Sequence, residues 1–130
     1  MKLKARIYHE LTRRLIEPNE IIQFNFLLGE LRSATILLDE TSFYEILCPK
    51  LLFFTGLKDI SGKEIYEGDI VTGFHINAQE NVKGFVEHFE KDACFIIKFA
   101  DGSYCSPSEL DDIKVTGNVY TMSPRSKKRK

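Results

Sequence analysis

The sequence predicts an all-β fold, mainly antiparallel, in which a small β-barrel-like domain carries at most one or two short helical turns. Short apolar segments alternate with polar residues at period two, turn signals recur at close spacing, and glycines interrupt two of the segments. With 130 residues, of which 43% are hydrophobic, the chain is long enough to form one domain with its own core. We expect that domain to cover residues 1–121 and a basic tail to cover residues 122–130.

Short strands account for the first half of the chain. Residues 2–9 and 21–28 alternate between apolar and polar side chains, which indicates strands that are buried on one face. Pro18-Asn19 predicts a turn between them, and residues 11–15 fit a single helical turn. The remaining apolar segments of this half are 34–38, 51–54 and, ambiguous between a strand and a helical turn, 43–47.

The second half contains a hairpin signal and a helix start signal. Asp101-Gly102 favours a tight hairpin turn. The segment Ser106-Pro107-Ser108-Glu109 is a capping box with proline at the first helical position, which predicts a short helical turn near residues 107–112. The predicted strands of this half cover residues 70–76, 82–89, 94–99 and 114–120.

Positive charge is concentrated at the C-terminus. Of the 18 Lys and Arg residues, five lie in the last six positions, namely Arg125, Lys127, Lys128, Arg129 and Lys130. The rest of the chain then carries 13 positive and 19 negative charges, a net of −6. An acidic body disfavours contact with a phosphate backbone, so that only the tail is suited to nucleic acid. A solvated chain end is the interpretation that we favour for it.

The residues that carry chemistry show no catalytic pattern. The three cysteines have no CxxC spacing and no secretory signal precedes them, which predicts a reducing cytoplasmic compartment, with Cys94 packed as a small hydrophobe. The three histidines, His9, His75 and His88, have no nucleophile at a recognisable spacing. No nucleotide-binding or hydrolase motif occurs, and no apolar segment approaches the ~20 residues that span a membrane. We therefore expect no enzyme activity, no cofactor, no metal and no membrane contact.

Residues 54–71 are dense in turn-forming residues. Their sequence is FTGLKDISGKEIYEGDIV, in which Asp59-Ile60-Ser61-Gly62 predicts a tight hairpin turn. Two interpretations stay open: a folded double turn that closes the barrel, which we favour, and an exposed loop that contacts a partner. In the first, the turn chemistry surrounds five core residues, which are Leu57, Ile65, Tyr66, Ile70 and Val71. The candidate site residues for either role are Thr55, Gly56, Leu57, Lys58, Asp59, Gly62, Lys63, Glu64, Ile65, Tyr66, Glu67, Gly68 and Asp69.

Four carboxylates in this segment raise the question of a cation. They are Asp59, Glu64, Glu67 and Asp69. Carboxylates are ligands for Mg²⁺ and Ca²⁺, but their spacing matches no known loop motif. Lys58 and Lys63 lie among them, so exposed ion pairs are the favoured interpretation.

Residues 54–71 resemble the signature of the YopX family, small proteins encoded by bacteriophages and prophages. The family phrase is close to (Y/F)TGLKDKNGKEIYEGDIV, and this chain departs from it at Ile60 and Ser61. Shorter likenesses are Lys4-Ala5-Arg6, Gly84-Phe85-Val86-Glu87 and Gly117-Asn118-Val119-Tyr120, so that the resemblance covers residues 3–121. It implies a β-barrel-like fold and a place in a mobile genetic element, and it brings no catalytic residues.

Two functions from different classes are compatible with these observations. The favoured one is a non-enzymatic module that forms a homo-oligomer, or binds a phage or host protein, through loops and strand edges. The alternative is a nucleic-acid-associated accessory protein that uses the basic tail and exposed aromatic residues, of which there are ten Phe and five Tyr. Removal of residues 125–130 separates the two, because only the second function needs the tail.

Overall fold

A computed structural model describes residues 4–89 and 94–121. It is 64% strand and 5% helix, its sheets are antiparallel, and one sheet curls into a half barrel. The all-β class is therefore confirmed. The predicted basic tail, with its five cationic side chains, lies outside the described residues. None of the helices in the described part of the chain is long and apolar enough to cross a membrane.

The described residues form twelve strands and two short 3-10 turns. The strands are β1 (Ala5–His9), β2 (Arg14–Ile16), β3 (Ile21–Leu27), β4 (Glu30–Leu37), β5 (Phe43–Leu47), β6 (Lys50–Lys58), β7 (Glu64–Tyr66), β8 (Asp69–His75), β9 (Glu80–Phe89), β10 (Cys94–Lys98), β11 (Tyr104–Cys105) and β12 (Leu110–Asn118). The 3-10 turns are Pro18–Glu20 and Pro107–Glu109. The chain divides into two compact units, residues 1–53 and 54–130, with the division inside β6. One domain over residues 1–121 stays a prediction.

The first unit is built from two antiparallel sheet segments. β1 lies between β2 and the first half of β6, while β4 lies between β3 and β5. Because side chains alternate along a strand, Ala34 and Ile36 of β4 share one face, and both are fully buried. One buried cluster of this unit consists of Ile7, Ile16, Ala34, Ile36 and Ile46.

The second unit is built around a five-stranded antiparallel sheet. Its strand order is β11-β10-β9-β8-β12. The second half of β6 pairs with β7, the next strand along the chain, outside this sheet. β12 shifts register twice against β8, as a strand does at a β-bulge. One buried cluster of this unit consists of Ile65, Val71, Val86, Ile97, Cys105 and Leu110.

Some local predictions are confirmed and others are wrong. The capping box at residues 106–109 is present: the Ser106 amide donates to Glu109 at 2.8 Å, and the Glu109 amide donates to the Ser106 carbonyl at 2.9 Å. The helical turn expected over residues 11–15 is wrong, because residues 10–13 form the turn of a hairpin and β2 starts at Arg14, so that Ile16 pairs with Ile7 of β1. The packing expected for Cys94 is also wrong, since it starts β10 with its side chain exposed.

Candidate functional site

The first turn of the signature segment is organised by the carboxylate of Asp59. Its Oδ1 accepts hydrogen bonds from the Ser61 amide at 2.9 Å, the Ser61 hydroxyl at 2.7 Å and the Lys63 amide at 2.9 Å. Gly62 completes the turn with a φ of +89°, a left-handed conformation that L-residues avoid. The sequence prediction of a tight turn over residues 59–62 is confirmed by this geometry.

The same carboxylate attaches the turn to the last strand. Asp59 Oδ2 accepts a hydrogen bond from the Val115 amide at 3.0 Å, and the Ile60 amide donates to the Ile113 carbonyl at 2.9 Å. The Val115 amide, followed by the Ser61 hydroxyl, holds the pKa of Asp59 well below its usual range. Asp59 is therefore an ionised structural anchor with 7% of its surface exposed.

The second turn lies between β7 and β8 and depends on Gly68 and Asp69. Gly68 has a φ of +90°, and its amide donates to the Val86 carbonyl of β9 at 2.8 Å. Asp69 is 1% exposed and accepts from the Tyr66 amide at 2.8 Å and from Asn118 Nδ2 at 3.0 Å. Asp59 and Asp69 thus accept hydrogen bonds from separate sets of donors.

Three segments that are distant in sequence meet at this second turn. The Val119 amide donates to the Gly68 carbonyl at 2.8 Å, and the Tyr120 amide donates to Asn118 Oδ1 at 2.8 Å. The ring of Tyr120 lies against Gly68 so closely that an added Cβ would be 2.6 Å from its Cε2. Two of the shorter likenesses in the sequence, residues 84–87 and 117–120, therefore supply the surroundings of the central phrase.

The start of the phrase forms an irregular step in the pairing of β6 with β7. The Thr55 hydroxyl donates to the Ile65 carbonyl at 2.8 Å and accepts from the Leu57 amide at 3.1 Å. Gly56 has a φ of +89° where the register shifts. Tyr66 is 2% exposed, and its hydroxyl donates to Glu64 at 3.1 Å. Tyr66 is thus a core residue, as one of the two sequence interpretations requires.

The outward surface of the phrase includes a residue that the sequence placed in the core. Leu57, expected in the core, is 44% exposed because it follows the irregular step at Gly56. Ile60 is 63% exposed, and Lys58 and Lys63 are exposed beside it in sequence. Within residues 4–89 and 94–121, no cluster of three or more His, Cys, Asp or Glu side chains is placed to hold a metal ion.

An open groove of about 560 Å³ in the second unit is lined by side chains that include His75, Cys105 and Glu109. His75 accepts from the Ala78 amide through Nδ1 at 3.0 Å, and its Nε2 lies 3.4 Å from Glu109. Burial, together with the charge of Glu109, raises the pKa of Cys105 to about 11. Cys105 is therefore held as an unreactive thiol, and both nitrogens of His75 have partners.

The first unit exposes an apolar hairpin tip that sequence reasoning missed. At the turn between β3 and β4, Phe26 is 59% exposed, Leu27 is 56% exposed and Leu28 is 92% exposed. Leu28 has a φ of +53° and Gly29 a φ of +83°, the pair of left-handed residues found in two-residue hairpin turns. Asn-Gly is the usual sequence signal for that turn. Leu-Gly at the end of an apolar strand therefore did not predict it.

Comparison with known families identifies the family of this chain. The family model described as YopX protein matches residues 10–125. No curated protein matches the chain, and no solved structure matches it. Since the family model covers most of the sequence, including the two turns and the closing segment, the chain belongs to the YopX family.

Proposed function

We propose that the chain is a non-enzymatic protein-interaction module of a bacteriophage or prophage, acting in the cytoplasm of the bacterial host. Its contact surface is the tip of the β3–β4 hairpin, defined by Phe26, Leu27 and Leu28. The observation that carries the proposal is the exposure of these three consecutive apolar side chains.

The conformation of the tip supports a role beyond folding. A leucine with φ near +53° is strained, because its Cβ approaches the following carbonyl. Asparagine or glycine would relieve that strain without loss of any buried contact, since Leu28 is 92% exposed. Strained residues that persist without a packing reason are enriched at functional sites. Leucine at this position therefore favours a contact with a molecule outside the chain.

The energetics of the tip suit a protein partner with an apolar pocket. Full burial of a Leu or Phe side chain stabilises a complex by about 1.5–3 kcal/mol. A rigid hairpin loses little conformational entropy when its tip is buried, which improves affinity. Contiguous exposed apolar side chains of this kind mark interaction sites on soluble proteins.

The chemistry of the groove supports the non-enzymatic part of the proposal. Catalytic cysteines need a lowered pKa, whereas burial raises that of Cys105 to about 11. A general base needs an available nitrogen, whereas His75 accepts from the Ala78 amide and faces Glu109.

Site-specific photocrosslinking in the bacterial host tests the proposal. Phe26 is replaced with a photoreactive phenylalanine analogue, and Tyr104, which is 54% exposed in the second unit, is replaced in the same way as a matched control. We expect a defined crosslinked protein from position 26 that is absent from position 104, with its identity read by mass spectrometry. Equal or absent crosslinking at the two positions would contradict the proposal.

A further inference from the structure

We infer that two copies of the chain pair through β5, antiparallel about a twofold axis at Glu45, and so join their three-stranded sheets. The inference rests on the proposed function only in treating the chain as a protein-interaction module, and it names a second copy of the chain as one partner. That second copy binds at the edge strand β5, whereas the proposed function uses the hairpin tip. The two surfaces share no residue.

β5 is an edge strand whose outward backbone groups can be identified. In the sheet β3-β4-β5, it pairs with β4 on one side and with no other strand of the described residues on the other. Hydrogen bonds from the Cys48 amide to the Arg32 carbonyl and from the Leu38 amide to the Ser42 carbonyl show which positions bond across the pair. Because these positions alternate, the amides and carbonyls of residues 43, 45 and 47 point away from β4.

These outward groups are complementary to themselves. In an antiparallel pair centred on Glu45, Glu45 lies opposite the partner's Glu45, and Phe43 lies opposite the partner's Leu47. Each of these is a pair of residues whose amides and carbonyls face one another. About six main-chain hydrogen bonds then join the copies, and every outward amide and carbonyl of the three residues is used. A twofold interface requires this kind of self-match.

The side chains follow the same symmetry. Phe43 is 67% exposed and Leu47 is 73% exposed, and they lie on one face of β5 because they are four residues apart. The twofold axis brings each phenylalanine against a leucine of the second copy, which buries two apolar pairs. Tyr44 and Ile46 point to the other face, where both pack with the core of the first unit.

The carboxylate of Glu45, the charged group at the centre of β5, lies over the face of the sheet and not at its edge. Charged side chains on edge strands commonly block pairing with another chain. Here, Glu45 Oε2 accepts from the Ser33 hydroxyl at 2.8 Å and from Asn25 Nδ2 at 3.4 Å. Its carboxylate is thus held above β4 and β3, away from the outward amides and carbonyls of β5. Two such carboxylates still approach one another across the axis, which limits the strength of the dimer.

Disulfide trapping in the full chain tests the register. In a background with Cys48 and Cys94 replaced by serine, Glu45→Cys brings two thiols together, since residues in a bonded antiparallel pair have Cα atoms about 5.5 Å apart. We expect it to form a covalent dimer under mild oxidation. Leu47→Cys on the same strand is the matched control, because its thiol would lie opposite the partner's Phe43, and we expect it to form no covalent dimer. Equal crosslinking of both variants, or of the control alone, would overturn the inference.

A second variant keeps the test independent of cysteine chemistry. Glu45→Gln retains an acceptor for Ser33 and removes the like charges across the axis, so the dimer dissociation constant should fall by roughly twofold to fivefold in sedimentation equilibrium. A dissociation constant that rises, or a chain that sediments as a monomer at all concentrations with and without the substitution, would contradict β5 pairing. Crosslinking from Phe26 to a different protein would leave the proposed function standing even then.

Discussion

Alanine substitutions at Gly68 and Gly62 separate two reasons for requiring glycine. Both residues have φ close to +90°, where an L-residue costs about 1–2 kcal/mol. A Cβ at Gly62 would meet no atom within 4 Å, whereas one at Gly68 would lie 2.6 Å from the Tyr120 ring. Displacing a packed ring adds about 1–3 kcal/mol, so we expect Gly68→Ala to cost roughly 2–5 kcal/mol and Gly62→Ala roughly 1–2 kcal/mol.

Urea unfolding of the full chain measures both free energies from midpoint and slope. Both glycines lie in the second unit, so the same transition reports on them. The double variant Gly68→Ala, Tyr120→Ala removes the ring, and should recover most of the extra cost relative to Tyr120→Ala alone. If Gly68→Ala were no more destabilising than Gly62→Ala, or if removing the ring recovered nothing, the close packing of Tyr120 would not be what requires glycine.

Three further outcomes are expected, two from substitutions and one from chemical labelling. Leu28→Asn should raise the stability of the first unit by about 0.5–1 kcal/mol in urea unfolding, because asparagine tolerates the left-handed turn better than leucine does; a loss of stability would show that Leu28 packs inside the fold. The folded-state pKa of Asp59 is depressed by the Val115 amide and the Ser61 hydroxyl, so the stability it contributes is present above about pH 4 and is lost as pH falls further. The urea midpoint should drop less steeply on acidification in Asp59→Asn than in the natural chain, and parallel curves would contradict this. Because burial and the charge of Glu109 raise the pKa of Cys105 to about 11, alkylation at pH 8 followed by mass spectrometry should modify the exposed Cys48 and Cys94 first and Cys105 only on unfolding; labelling of all three at similar rates would refute the argument.

Local signals in the sequence were sufficient for the turns. Gly62 and Gly102 have positive φ at the predicted hairpin turns, and Ser106 and Glu109 cap the predicted 3-10 turn. Each of these features depends on residues fewer than five positions apart, so the pattern contains all the information that is needed. The signature segment was identified in another way, by its resemblance to the phrase of a known family.

Long-range contacts account for what the sequence did not reveal. The Asp59 carboxylate reaches Val115, 56 positions away, and Asp69 reaches Asn118, 49 positions away. Periodicity cannot show such partners, although the likeness at residues 117–120 was a pointer to one of them. β2 was missed because Arg14–Ile16 is too short to show alternation, and its pairing with β1 overrides local preference. Leucine is disfavoured in the left-handed conformation that Leu28 adopts, so turn preferences did not predict a hairpin turn at this position.

The anchoring of both signature turns to β12 sets an order of events during synthesis. Every member of the first-unit cluster precedes residue 54, so this cluster can pack before the second unit has been completed. The turn at Asp59, by contrast, waits for the Val115 amide, and the turn at Gly68 waits for the Val119 amide. Domains form from the N-terminus as the chain emerges. A product that ends before β12 therefore leaves both turns without these anchors, and we expect proteases to cleave it at the signature segment faster than they cleave the full chain.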